Sequence, residues 1–130
     1  MGHDTVTQIS VSDPTPDGSV RKLLHDTRSA LLVVDMQADF CSADGFVAQL
    51  GLDPTPCREI VSSLQELIDG ARDNDVPVLW VLANYDDDLV PPTFLRRKNE
   101  AGISHDCCIP GTEGFEFFGV TPADGEPKFI

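Results

Sequence analysis

Asp35 is the first candidate for a reactive residue, because of its position at the end of an apolar segment. It follows directly after four large apolar residues, Leu31 to Val34, with no alternation of apolar and polar positions. Such a run is typical of a central strand in a parallel sheet, buried on both faces. Because ligands bind beyond the carboxyl ends of parallel strands, we expect Asp35 to border a binding crevice.

Thiol groups are the second source of chemistry, because a cysteine thiolate is a strong nucleophile. The four cysteines, Cys41, Cys57, Cys107 and Cys108, include no C-x-x-C pair. With no export signal in the sequence, we expect free thiols rather than a disulfide framework. Cys57 falls at the start of a predicted helix, where a thiolate would be stabilised, but no histidine or other base lies near it in sequence. A structural role is therefore favoured for Cys57.

Two further patterns only partly resemble metal sites. His105 lies beside Cys107 and Cys108, but a fourth ligand and the ligand spacing of a zinc site are missing. The acidic run at 86–88 lacks the loop pattern that brings consecutive carboxylates onto one calcium ion. We therefore predict no metal site and a solvated acidic loop.

The elements that would position Asp35 follow a strand–helix–strand order. We predict a strand over 30–35, a helix over 56–74, a second strand over 76–84 and the beginning of a third strand over 126–130. A strand–helix–strand unit with parallel strands predicts an α/β fold. The fold class is a three-layer, doubly wound (Rossmann-like) parallel sheet, which two and a half strands leave incomplete in this chain.

Smaller features complete the expected domain. Thr55 as N-cap and Pro56 at the first helical position start the long helix. A short turn of helix is expected near 46–50 and a short basic helix over 92–100. The basic side chains of that helix are expected on its exposed side: Arg96, Arg97 and Lys98. Three aromatic residues are expected to anchor the following loop in the core: Phe115, Phe117 and Phe118.

Charge and composition argue against several classes of protein. Nine Lys and Arg against 22 Asp and Glu give a net charge of −13, the wrong sign for binding nucleic acid or an anionic membrane. No apolar run approaches the ~20 residues of a membrane span. The N-terminus also lacks the basic and apolar segments of a signal peptide. We expect a cytoplasmic protein with an N-terminal arm over 1–28 and one domain over 29–130.

The motifs resemble those of the isochorismatase-like cysteine hydrolases, a superfamily that includes N-carbamoylsarcosine amidase, nicotinamidase, biuret hydrolase and ureidoacrylate amidohydrolase. The strongest match is LLVVDMQADFC, residues 31–41, which is similar to the family's apolar strand followed by D-M-Q-x-D-F. Weaker matches are the dipeptide AR at 71–72, VPVLWV at 76–81 and PGTEG at 110–114. The region 107–118 is most similar to the carbamoyl and ureido-type amidohydrolases.

The resemblance implies that a cysteine thiolate attacks the carbonyl carbon of a small amide or ureide. Asp35 matches the family's aspartate, which takes the thiol proton and later assists the leaving amine. Phe40 matches a position that lines the substrate cavity, and Asp39 one that fixes the loop through backbone hydrogen bonds. The family's lysine closes the third strand. The register of the third strand puts the matching lysine just past Ile130, so Lys128 is only the second choice.

The nucleophilic cysteine of the family lies on a later strand-to-helix turn, a context that none of the four cysteines here has. We therefore expect residues 29–130 to form the N-terminal portion of a hydrolase domain, inactive alone, needing no cofactor and inclined to form homo-oligomers. The alternative is a catalytically inactive, truncated relative that serves as an interaction or oligomerisation module. A receiver domain or a haloacid-type phosphatase is disfavoured, because Met36 and Gln37 stand where those folds need acidic residues.

Overall fold

The computed structural model describes residues 29–104 and 106–130, which form a parallel sheet of three strands in the order β1-β2-β3. The expected N-terminal arm over 1–28 and His105 lie outside the described residues. The strands are β1 (Leu31–Val34), β2 (Val78–Val81) and β3 (Lys128–Phe129). The helices are α1 (Ala38–Cys41), α2 (Phe46–Gln49), α3 (Thr55–Glu59), α4 (Val61–Asp73) and α5 (Pro92–Glu100), with a 3-10 helix over Glu113–Phe115.

The predicted strand–helix–strand unit is confirmed, and with it the α/β fold class. β1 pairs with β2 in parallel, Val33 lying opposite Trp80, and β2 pairs with β3 in parallel, Trp80 lying opposite Lys128. The chain between β1 and β2 passes through α3 and α4. Three parallel strands with these helices correspond to an incomplete Rossmann-like sheet.

The core lies between one face of this sheet and α4. Val33, Val78 and Trp80 on the sheet are buried together with Ile68 and Ala71 of α4. The predicted aromatic anchors Phe117 and Phe118 pack against the same cluster. The ring of Phe117 meets Trp80 edge-on, with centroids 5.2 Å apart. This geometry is favourable for aromatic pairs and fixes the loop before β3 against the sheet.

The prediction that β1 is a central strand buried on both faces is wrong. β2 is the middle strand of the described sheet, and the side chains of Leu32 and Val34 are 56% and 52% exposed. Successive strand residues point to opposite faces, and α4 covers only the face that carries Val33. A continuous apolar run indicates which faces require cover, but it does not identify the residues that provide the cover.

The single helix predicted over 56–74 is two helices, α3 and α4, which meet at Ile60. The expected N-cap is also wrong, because Pro54 occupies the cap position and Thr55 is already helical. Asp53 supplies the capping oxygen instead, since its Oδ1 accepts a hydrogen bond of 2.9 Å from the Thr55 backbone N–H. Hydrogen bonds from the Thr55 side chain, and then from its backbone N–H, lower the pKa of the Asp53 carboxyl.

The basic helix predicted over 92–100 is confirmed as α5, but its side chains do not all face solvent. Arg96 and Arg97 are exposed, whereas the Lys98 side chain is only 15% exposed and its Nζ lies 3.4 Å from both Asp87 and Asp106. The acidic loop is therefore tied to α5. Within the described ranges, no helix is both long and apolar enough to cross a membrane.

A charged cluster around Glu126 joins α4, β2 and the turn before β3. The Arg72 guanidinium donates to both carboxylate oxygens of Glu126, at 2.8 and 3.0 Å. The Trp80 indole N–H and the Ala123 backbone N–H donate to Glu126 Oε2 at 2.7 and 3.0 Å. These bonds, the one from Arg72 foremost, lower the pKa of the Glu126 carboxyl to about 2.

We predict that Glu126→Gln lowers the free energy of unfolding by about 2 kcal/mol at neutral pH, because hydrogen bonds to a charged group are lost. The folded-state pKa is about 2 and the ordinary value is 4.5, so this stabilisation is complete above pH 4.5 and disappears as the pH falls toward 2. Urea unfolding at several pH values measures the effect. The control is Glu66→Gln on the exposed side of α4, and an equal loss in the two variants contradicts the account.

Candidate active site

Asp35, the predicted catalytic residue, follows β1 directly and adopts an unusual backbone conformation. Its φ is +57°, in the left-handed region, and its side chain is half-buried. Its N–H donates to the Val81 carbonyl at 2.9 Å, while its carbonyl accepts from the Gln37 N–H at 2.8 Å. This conformation costs about 1 kcal/mol in a residue other than glycine, and such strain is concentrated at functional sites. The chain therefore turns sharply at the residue that the sequence singled out.

The buried amide of Gln37 holds this turn in place. Its Nε2 donates to the carbonyl oxygens of Ala83 and Phe115 at 3.1 and 3.0 Å, and its Oε1 accepts from the Ala83 N–H at 2.7 Å. Among the described residues it is the only polar side chain that is fully buried. We call these three bonds the Gln37 clamp. Gln37 belongs to the D-M-Q motif after β1, but its role was not predicted, because its partners lie 46 and 78 residues further along the chain.

Backbone pairing extends the clamp to the aromatic loop. Gln37 forms an isolated antiparallel bridge with Phe117. On either side of it, the Phe118 N–H donates to the Met36 carbonyl at 2.9 Å and the Ala38 N–H donates to the Glu116 carbonyl at 2.9 Å. The segment after β1 and the segment before β3 therefore form one rigid unit beside Asp35.

Asp39 fixes a second loop, as the resemblance implied. Its Oδ1 accepts from the Phe46 N–H at 3.1 Å, and its Oδ2 accepts from the Cys108 N–H at 2.6 Å. A Cβ atom at Gly114 would collide with this carboxylate. The close approach explains why glycine stands there, in the PGTEG segment.

An aromatic cavity of about 470 Å3 opens between α1, α2 and α5. Phe40 lies in its wall together with Tyr85, Phe94 and Cys107, and the rings of Tyr85 and Phe94 stack with centroids 5.4 Å apart. Burial raises the pKa of the Tyr85 phenol, and the negative charge of Asp35 raises it further. Asp35 does not itself line this cavity, but its charge acts on the cavity wall at Tyr85. The substrate-lining role of Phe40 stays a prediction.

Three of the four thiols are poorly suited to be nucleophiles. Cys41 and Cys108 are fully buried, and Cys107 is nearly so. Burial, followed by the neighbouring thiol of Cys57, raises the pKa of Cys41 to about 11. A hydrogen bond with Cys107 and then burial raise the pKa of Cys108. The interactions that set these two pKa values include no cation, which is the usual means of stabilising a thiolate.

Lys128, the second-choice lysine, does not lie level with Asp35. In the parallel register it stands opposite Trp80 and therefore level with Val33. This is two residues, or about 7 Å along a strand, before the position of Asp35. The Lys128 side chain is exposed.

We predict that Gln37→Met lowers the free energy of unfolding by at least about 3 kcal/mol, since three buried backbone groups lose a partner. Methionine has a similar shape, but it leaves buried backbone groups of Ala83 and Phe115 without partners, at about 1–3 kcal/mol for each group. Chemical denaturation measures the loss. Gln49→Met, at an exposed position on α2, is the matched control and should change stability by less than about 0.5 kcal/mol. A Gln37→Met protein as stable as its control contradicts the clamp.

Comparison with known families agrees with this geometry. The family model of the isochorismatase domain matches residues 29–129. The matched region runs from the residues before β1 through β3 and includes Asp35, the Gln37 clamp and the aromatic cavity. The chain therefore belongs to the isochorismatase family of hydrolases.

Proposed function

We propose that this chain supplies the aspartate and part of the substrate cavity of a cysteine hydrolase that cleaves a C–N bond in a small amide or ureide. The observation that carries this proposal is the position of Asp35, held in a left-handed turn at the carboxyl end of β1. The adjacent aromatic cavity and the family membership support it.

In the proposed reaction, Asp35 accepts the proton of an attacking thiol. The sulfur bonds to the carbonyl carbon, the C–N bond breaks, and the departing nitrogen receives the proton from Asp35. Water then hydrolyses the thioester and restores the thiol. The Gln37 clamp holds the carboxylate in position, while Phe40 and Tyr85 pack against the apolar part of the substrate.

We further propose that the nucleophile is none of the four cysteines described above. Cys41 and Cys108 are buried with raised pKa values, and Cys107 donates its thiol hydrogen to Cys108 at 3.7 Å. Cys57 packs against the core beside Cys41. In this proposal the cysteine and lysine of the triad come from residues other than these, and Lys128 is not the lysine.

The central test uses the natural gene product that carries this sequence, assayed for ammonia or amine release from a panel of small amides and ureides. We expect Asp35→Asn to lower kcat by about 10²–10⁴-fold, since an amide cannot accept the thiol proton. Asp124→Asn, at an exposed position in the turn before β3, should leave kcat unchanged. Full activity in Asp35→Asn, or no hydrolysis of any member of the panel, contradicts the proposal.

A separate prediction concerns the 130-residue protein by itself. Because Cys41, Cys107 and Cys108 are buried and Cys57 has no base near it in sequence, we expect no hydrolysis above the buffer rate in the same assay. A sample pre-treated with iodoacetamide, which alkylates cysteine, gives the rate of hydrolysis that does not depend on cysteine. Turnover that is abolished both by this treatment and by Asp35→Asn would place the nucleophile among the four cysteines.

A second candidate function is self-association, favoured by the uncovered face of the sheet. Leu32, Val34 and Phe129 share this face across the parallel register, and each is more than half exposed. These three residues are uncharged and apolar, so this face is complementary to the same face of a second copy. When two sheets stack, both apolar faces are buried. We propose that a second copy of the chain occupies this face. The protein would then act as a homo-oligomer.

Sedimentation of the 130-residue protein over a range of concentrations tests this association. We expect Leu32→Lys to shift the protein toward monomer, because a buried ammonium group on an apolar interface is strongly unfavourable. Leu89→Lys, at an exposed position in the loop before α5, should leave the assembly unchanged. A wild-type protein that is monomeric at every concentration contradicts the proposal.

A further inference from the structure

Two adjacent cysteines, Cys107 and Cys108, place their sulfur atoms side by side. The Sγ atoms are 3.7 Å apart, and Cys108 has a φ of +51°. Neighbouring residues in an extended segment point to opposite sides, so this arrangement requires an unusual backbone. A left-handed cysteine in a nearly inaccessible position is a strained feature that persists only where surrounding contacts hold it.

A carboxylate completes the cluster from a distant part of the chain. One oxygen of Asp39 and the two sulfur atoms all lie within 4.8 Å of one another. Zinc–sulfur bonds are about 2.3 Å long, which puts two thiolates on a tetrahedral ion about 3.8 Å apart. The observed separation of 3.7 Å is close to this value. Two sulfur donors and one carboxylate suit zinc and its softer relative cadmium better than calcium or magnesium.

We propose that Cys107, Cys108 and Asp39 bind a thiophilic divalent cation of the zinc class. Binding replaces the two S–H hydrogens, so two protons are released for each ion bound. The ion then contacts two thiolates and one carboxylate oxygen, and water takes the fourth position.

The charged groups that act on the Cys108 thiol are both negative, whereas Arg97 and Lys98 lie further out, in the wall of the cavity. The negative charges of Asp39 and Asp35 contribute to the raised pKa of the Cys108 thiol, so a bare thiolate is unfavourable there. A divalent ion reverses this effect, because its two positive charges offset the negative charges of the two thiolates. The bonds that Asp39 accepts from Phe46 and Cys108 leave further lone pairs on each of its oxygens.

The aromatic cavity provides the entry path. Cys107 lines that cavity, so an ion or a water molecule can reach its sulfur without unfolding the loop. In the sequence, only His105 stands beside Cys107 and Cys108, which leaves the ligand set of a zinc site incomplete. The further donor, Asp39, lies 69 positions before Cys108 and is brought there only by the fold.

The test is a titration of the reduced, metal-free 130-residue protein with Cd2+, followed by the ultraviolet absorption of cadmium–thiolate charge transfer. We expect one ion per chain, displaced by Zn2+. Cys107→Ser should abolish the absorption. Cys57→Ser, which removes a thiol from the neighbouring Cys41–Cys57 pair, should preserve it.

Alkylation of the native protein, mapped by mass spectrometry, gives a second readout that needs no variant. Zn2+ should protect Cys107, the thiol that lines the cavity, from iodoacetamide and leave the reaction of Cys57 unchanged. The proposal is overturned if Cd2+ binds without the charge-transfer absorption, or if the absorption persists in Cys107→Ser or is lost in Cys57→Ser. It is also overturned if Zn2+ does not protect Cys107.

Discussion

The side-chain amide of Gln37 is the interaction on which the arrangement of the site depends. A buried amide must find partners, because each unsatisfied polar group costs about 1–3 kcal/mol. Gln37 finds them in the backbone of Ala83 and Phe115, at 2.7 to 3.1 Å. Three separate segments are thereby fixed together: the turn after β1, the segment after β2 and the 3-10 helix. Asp35 lies two residues before Gln37 and takes its orientation from this arrangement.

Electrostatics then limits what these residues can do. Asp35 and Asp39 both lie close enough to Cys108 to raise its pKa. Lys98 is occupied by two carboxylates, and Lys128 stands about two strand positions away from the level of Asp35. Among the described residues, the site therefore offers a carboxylate and an apolar wall but no thiol whose pKa is lowered by a cation. These properties suit one part of a hydrolase active site, and the same excess of negative charge suits a cation at the paired thiols.

Local patterns in the sequence predicted most of the elements. The helix from Pro92 to Glu100 and the parallel strands around Asp35 follow directly from apolar periodicity and helix-end signals. The errors arose where distant groups decide the outcome. Exposure of Leu32 depends on which residues cover the sheet, and burial of Lys98 depends on Asp106, eight residues away.

Some features of the candidate site could be predicted from the sequence, as most of the helices and strands could. Asp35 stands at the end of its strand because an apolar run specifies that end, and the loop-fixing bonds of Asp39 agree with the resemblance. The Gln37 clamp and the approach of Asp39 to Cys108 were not predictable. They connect positions 46 to 78 residues apart, and no local pattern encodes such a contact.

Hydrogen exchange of the Gln37 side-chain amide, followed by NMR, tests the central claim most directly. If this amide is buried and donates to two carbonyl oxygens, its protons should exchange at least about 100-fold more slowly than those of exposed Gln49. The Ala83 backbone N–H should be protected to a similar extent. Exchange of the Gln37 amide at the rate of Gln49 would show that the clamp does not form and would contradict the account of how Asp35 is held.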